Sequence, residues 1–360
     1  MKIAIFGGSF NPIHKGHILI AKEAIQKLNL DKLFFVPAYK SPFKKNVNYV
    51  SEVHRTNMIN LVMEEKMYLS TFELNKKNIS YTIDTVKYFS QKFPNDELYL
   101  LIGSDNVNNL NKWKQIDIIS KLAKIVIFER GNKYQKINIK KFNCLKLNNS
   151  IYPFSSTDYR KGNLLMVENI VQEYIGANFL YFDEIAKNMM SIERYKHLKF
   201  TADFALELAK KYNFDIQKAY QAGFMHDIAK EWDEENSYNF LKKYGYSKEN
   251  LPFYKLHQTV GYFYLKDVYK YKNEDVLNSI KIHTSLKLDQ LSILDKILFI
   301  SDKICQGRKW GGIQKVRELA FQNLDEALKV VIQKCCIEYN NNLGKEITSE
   351  QWEIYNKLLK

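Results

Sequence analysis

Two imidazoles three residues apart, His14 and His17, close the string "MKIAIFGGSFNPIHKGH" at the start of the chain. They follow Gly7, Gly8 and Ser9, where a short β-rich run ends, and they precede "ILIAKEAIQKL", whose apolar residues recur at helical spacing. Imidazoles at or just before a helix N-terminus can donate to phosphoryl oxygens, because the free N–H groups and the dipole there already favour an anion. Glycines at the end of a strand let backbone N–H groups approach the same anion, and the carboxyl edge of an open α/β sheet is where ligands bind. These residue types suit the stabilisation of charge during phosphate chemistry.

The other half of the chain holds a second set. His197, His226, His257 and His283 each lie in an apolar segment of helical pattern, beside a charge or a threonine, and Asp227 directly follows His226. Neighbours on a helix do not share a face, so His226 and Asp227 can chelate one metal only at a bend, joined by His197 from the preceding helix and Asp302 from a later one. Imidazole and carboxylate together suit Fe, Mn, Co or Zn, and a set with bridging positions suits a dinuclear centre. A lone helical histidine is ordinarily packed or exposed; four in such settings form a pattern.

The elements that must position these groups differ between the halves. Up to about Phe182 the runs "KIAIFG", "KLFFVP", "ELYLLIG" and "KIVIFER" alternate with helical stretches, the rhythm of parallel βαβ units. From Asp183 the strand signals fade and segments such as "TADFALELAKKY" and "AGFMHDIAKEW" carry helical periodicity. The expectation is an α/β domain over 1–182, with a parallel sheet and helices on both faces, followed by an all-α domain over 183–360. The length of 360 residues suits two cores.

Composition narrows the classes. Hydrophobic residues make up 46% and charged residues 26%, as in globular domains, and no apolar run approaches a membrane span. "MKIAIF" is too short for a signal peptide. Cys144, Cys305, Cys335 and Cys336 have no C-x-x-C spacing, so a reducing cytoplasm is the expectation. The net charge of +14 falls mostly in the first half, with 26 Lys+Arg against 15 Asp+Glu through Phe182 and 28 against 25 beyond. Such an excess suits polyanionic ligands. No nucleic-acid-binding motif accompanies it.

The first half resembles the H-x-G-H nucleotidyltransferases, and within them the bacterial nicotinate-nucleotide adenylyltransferases. The likeness extends from "GGSFNPIHKGH" through "LNLDKLFFVPAYKSPFKK", "SYTIDTVKYF", "ELYLLIGSDNVNNLNKWKQI" and "PFSSTDYRKG". It implies catalytic roles for His14, His17, Lys44 and Arg160. It implies ATP contacts from Gly7, Gly8, Ser9, Phe10, Gly103, Asp105, Ser155, Ser156 and Thr157, and pyridine-nucleotide contacts from Thr85 and Trp113. The substrates implied are ATP, carrying Mg2+, and nicotinate mononucleotide. Phe43 stands where the family's loop has a histidine, and His54 in "SEVHRTNM" reads as a surface helix residue.

The second half resembles the HD-domain phosphohydrolases, closest to the bacterial group that cuts diadenosine tetraphosphate symmetrically. The segments "ERYKHLKFTADFALELA", "AGFMHDIAKEW", "LHQTVGY", "IKIHTS" and "LDKILFISDKICQGR" carry the likeness. It implies His197, His226, Asp227, His257, His283 and Asp302 as ligands of two metals, iron foremost. Lys230 is implied in a catalytic role and Arg308 on the polyphosphate. Cys305 and Gln306 replace an acidic residue and a proline of the family. A nucleotidase acting on other nucleotides, and a basic nucleic-acid-binding protein on degenerate enzyme folds, stand as alternatives at this point.

Overall fold

Four strands coincide with the four β-rich runs, and their nearly continuous apolar character has a simple cause: strands of a parallel sheet are covered on both faces. A computed structural model describes residues 1–40, 49–287 and 290–360. The chain divides into two compact units, Met1–Ile175 and Gly176–Lys360.

In the first unit, β1 (Lys2–Gly8), β2 (Lys32–Pro37), β3 (Met67–Leu69), β4 (Glu97–Gly103), β5 (Lys124–Phe128) and β6 (Leu145–Lys146) form one parallel sheet in the order β3-β2-β1-β4-β5-β6. The helices of this part are α1 (Lys15–Leu28), α2 (Glu52–Asn60), α3 (Phe72–Lys76), α4 (Thr82–Lys92), α5 (Ile116–Leu122), α6 (Ile137–Lys141) and α7 (Ser156–Arg160). Ile3, Ile5, Leu98, Leu100, Ile102, Ile125 and Ile127 pack with Ile83, Val86 and Phe89 of α4 and Ile116 and Ile119 of α5. Each such side chain, fully buried, contributes about 1.5–3 kcal/mol. Strand order reverses between β1 and β4, so the carboxyl ends of these two strands open a crevice at the switch point.

The division between units falls within α8 (Asn169–Ala177). The second unit is helical among its described residues: α9 (Phe182–Met189), α10 (Ile192–Lys211), α11 (Ile216–Met225), α12 (Glu234–Leu241), α13 (Phe253–Phe263), α14 (Glu274–Ile282), α15 (Ile293–Ile304), α16 (Ile313–Gln322), α17 (Leu324–Val331), α18 (Tyr339–Asn342) and α19 (Ser349–Leu359). The spine is α15, which buries Leu294, Ile297, Leu298, Phe299, Ile300 and Ile304. At the crossing of α10 and α11, a Cβ on Gly223 would stand 2.7 Å from the Ala202 Cα, so only glycine permits this approach. That approach brings the end of α11, where His226 sits, close to the α10 face that bears His197. No helix among the described residues is long and apolar enough to cross a membrane.

Candidate active sites

In the first unit, His14 is the N-cap of α1, with extended backbone, and its N–H donates to the His17 Nδ1 at 3.1 Å. That bond fixes the His17 tautomer: Nδ1 accepts, so the proton sits on Nε2. The two rings stack at 3.6 Å. Gly16 makes the stacking possible, since a Cβ there would press on the His14 ring at 3.1 Å and on the Phe154 Cβ at 3.2 Å.

Both rings line a cleft of about 450 Å3 at the switch point, together with Gly7, Gly8, Ser9, Thr85, Gly103, Asp105, Trp113, Ser155, Ser156 and Thr157. Phe10 lies under the turn instead, buried, with its ring 4.9 Å from that of His17. Ser155 caps α7 by accepting from the N–H groups of Thr157 and Asp158 at 3.1 and 3.2 Å, and the Ser156 hydroxyl donates to the Pro12 carbonyl at 2.8 Å. The Arg160 guanidinium donates to the Asn11 carbonyl, which stitches this segment to the turn ahead of the histidines. Lys44 and Phe43 lie outside the described residues.

Two arginines of this site are absent from the sequence reading. Arg55 is buried and holds the turn from beneath, donating to the carbonyls of Ser9 at 2.9 Å and Ala38 at 2.7 Å. Arg130 lines the cleft 3.8 Å from Asp105, and its position just after β5 was the available signal. His54 is half-buried rather than a surface residue, with its Nδ1 2.8 Å from the Tyr174 hydroxyl.

Burial, with a smaller contribution from Arg130, lowers the His14 pKa to about 3. The ring is then neutral across ordinary pH, and nitrogen NMR should find no His14 titration between about pH 5 and 8. The ordinary value is 6.5. The unfolded chain therefore binds the extra proton first, and this histidine should cost stability progressively as pH falls from 6.5 towards 3. A His14→Gln variant should lose less stability than the parent over that window, read by denaturant melts.

In the second unit, the structure brings all six implied ligand side chains together. His197 comes from α10, His226 and Asp227 from the turn that ends α11, His257 from α13, His283 from the end of α14, and Asp302 from α15. The helix stops at Met225, so the bend that chelation by His226 and Asp227 needs is present. Two groups form, His197–His226–Asp227–Asp302 and Asp227–His257–His283, each with its ligand atoms within 4.8 Å of one another. Asp227 belongs to both: its Oδ2 is 3.5 Å from His226 Nε2, and its Oδ1 is 3.4 and 3.3 Å from His257 and His283 Nε2.

The donor chemistry fits a divalent metal. The Nδ1 atoms of His226 and His283 lie 2.8 and 2.7 Å from the carbonyl oxygens of Gly223 and Ile280, so they carry the protons and each Nε2 keeps its lone pair. His226 Nε2 is buried with no hydrogen-bond partner among the described residues. Burial lowers the pKa of His197, His257 and His283. Burial opposes the charge on Asp227 and Asp302, yet both are held well below the carboxylate range, Asp302 chiefly by Lys303. Neutral imidazoles and ionised carboxylates are what a cation needs.

Cations surround the cluster. Arg308 Nη2 is 2.9 Å from Asp302 Oδ1, Lys230 Nζ is 3.2 Å from His257 Nε2, and burial lowers the Lys230 pKa. Sequence reasoning missed two more. Arg194 Nη1 stands 2.7 Å from Asp227 Oδ2, and Lys303 pairs with Asp302. Arg194 lies one helical turn before His197, a spacing that places both on one face of α10.

Residues 5–162 match the cytidylyltransferase-like family and residues 194–306 the HD domain, which implies a divalent metal. The chain is 34% identical over 356 residues to the Mycoplasma genitalium protein named "Probable nicotinate-nucleotide adenylyltransferase/Ap4A hydrolase", covering 96% of this chain and 99% of that one. It is 32% identical over 305 residues to the protein of the same name from Mycoplasma pneumoniae, with 83% and 87% covered. A solved structure of an HD superfamily hydrolase described as involved in NAD metabolism, from Clostridium acetobutylicum, is similar at 30% identity with a TM-score of 0.46, covering 50% of this chain and 96% of that chain.

Proposed function

The chain belongs to the family of two-part proteins that join a nicotinate-nucleotide adenylyltransferase to an Ap4A hydrolase, and from that premise we propose what each site does. The first unit transfers AMP from ATP to nicotinate mononucleotide, giving deamido-NAD and pyrophosphate. The second hydrolyses diadenosine tetraphosphate to two ADP. The observation that carries the reading is that the H-x-G-H histidines, the Gly7–Ser9 turn, Thr85 and Trp113 line one cleft, while a separate core holds a complete His/Asp cluster.

In the first reaction a 5′-phosphate oxygen of nicotinate mononucleotide attacks the α-phosphorus of ATP. The new P–O bond forms as the bond to the β-phosphate oxygen breaks, and pyrophosphate leaves; Mg2+ arriving with ATP would offset the charge on the leaving group. The protein's work is positioning and charge stabilisation. His17 donates from Nε2 to the phosphates, and neutral His14 packs beside it as a second donor. Arg130 and Lys44 add positive charge. Arg160 braces the turn that presents the histidines. Asp105 and Gly103 take the adenosine end, and the Trp113 indole stacks on the pyridine ring.

In the second unit His197, His226, Asp227, His257, His283 and Asp302 would hold the metal. Membership of Asp227 in both groups supports two ions, and the N/O donor set suits iron as well as manganese, cobalt or zinc. Bound metal supplies Lewis acidity toward phosphoryl oxygens and acidifies water at neutral pH. Arg194, Lys230 and Arg308 neutralise the polyphosphate, and Arg308 also ties down Asp302. The four cysteines are free thiols, which supports a reducing cytoplasm as the working compartment.

The test is a product assay on the purified full chain. ATP with nicotinate mononucleotide should yield deamido-NAD and pyrophosphate, and the amide nucleotide should be a far poorer acceptor. Diadenosine tetraphosphate should yield ADP alone; release of ATP and AMP would refute the hydrolase assignment.

A further inference from the structure

One buried acid in the first cleft has no part in the reaction above. Glu73, on α3, is 9% exposed and lines the cleft beside Ser80, Tyr81, Thr82 and Thr85. Thr85, in the first turns of α4, donates its hydroxyl hydrogen to Glu73 Oε1. Ser80 neighbours this carboxylate in the cleft wall. The Ser80 Oγ in turn accepts the N–H of Tyr39 at 3.0 Å, and the Ser80 N–H donates to the Lys40 carbonyl at 3.0 Å. The carboxylate therefore ties α3 to α4, beside a segment that Ser80 joins to the loop after β2.

We propose that Glu73 is a positioning residue for the pyridine nucleotide, holding the Ser80–Thr85 wall of the cleft in register through its bond to Thr85. The inference rests on the adenylyltransferase reading. Burying a carboxyl group is costly, and here burial pushes its pKa up while the Thr85 hydroxyl pulls the other way. Such a group persists where its bonds fix a geometry that an apolar side chain would not. The Thr85 hydroxyl hydrogen is committed to Glu73, so this threonine acts on a ligand through its placement and its backbone, and that placement is what Glu73 sets. The ATP side of the cleft, at Gly7–Ser9, the histidines and α7, has no bond to Glu73 among the described residues.

The experiment compares the full-length parent with Glu73→Ala and Glu73→Gln. Glu73→Ala should raise the KM for nicotinate mononucleotide about tenfold or more while the KM for ATP stays within about twofold, as loss of a hydrogen bond to a buried carboxylate implies. Glu73→Gln, which keeps an acceptor oxygen, should recover most of the loss. Without ligand, amide hydrogen exchange at Ser80–Thr85 should quicken in Glu73→Ala and remain near parental in β1 and α1. Equal shifts in both KM values, an unchanged KM for nicotinate mononucleotide, or unchanged exchange would overturn the proposal. Should Glu73→Ala not fold, Thr85→Val removes the same hydrogen bond from the other side and is held to the same KM criterion. A parent that makes no deamido-NAD refutes the functional reading instead, and the exchange comparison then decides the bracing role alone.

Discussion

Replacing His17 with alanine should lower adenylyl transfer by about 10²- to 10³-fold in kcat, the usual cost of losing one donor aimed at transition-state charge. The expectation follows from the local bonds. His17 Nδ1 is occupied by the His14 N–H, so Nε2–H is the one proton that ring can offer, and it belongs to a side chain lining the cleft. Alanine also removes the acceptor for the His14 N–H and the partner of the stacked ring. The KM for ATP should rise modestly in comparison. Hydrolysis of diadenosine tetraphosphate should stay at the parental rate, because the six-residue cluster lies in a unit with its own core. The check is a pyrophosphate-release assay run beside an ADP assay on the same preparation; equal loss of both activities with an unchanged melting curve would contradict independent sites.

Asp227→Ala should remove most bound metal and essentially all hydrolysis while leaving adenylyl transfer intact. A change beside a ligand commonly costs 10- to 100-fold in metal affinity, so losing a ligand shared by two groups should exceed about 100-fold. His283→Ala removes a residue of one group only, and this variant should retain part of its metal with little activity. Elemental analysis after dialysis reads the metal directly. Asp227→Ala with full metal content and full hydrolysis would sink the assignment.

The central sheet was legible because both of its faces are covered: long apolar runs such as "ELYLLIG" can be little else. The edge strands β3 and β6 were not, because "MYL" and "LK" have no period to detect and exist only through pairing with β2 and β5. The cleft histidines and the His/Asp cluster stood out by residue type and order. What sequence could not reveal is where cations and hydroxyls are spent. The likeness assigns Arg160 and Ser156 to ATP, and the structure adds that both bond carbonyls of the Asn11–Pro12 turn. Arg55 looks like an ordinary surface arginine of α2 and proves to be buried, tethering Ser9 and Ala38. Arg130, Arg194 and Lys303 reach their sites through tertiary approach, which no local pattern encodes.

The lengths of the sheet's outer strands bear on how this chain avoids its neighbours. The inner strands, of seven, six, seven and five residues, include "KIAIFGG" and "KIVIF", apolar and β-branched, the composition that stacks into cross-β aggregates. The strands that flank them have three and two residues, too short to template pairing with another molecule. β6 covers the Val126–Ile127 stretch of the β5 edge, so a chain cut before Leu145 should expose that stretch and self-associate more readily, as light scattering would read.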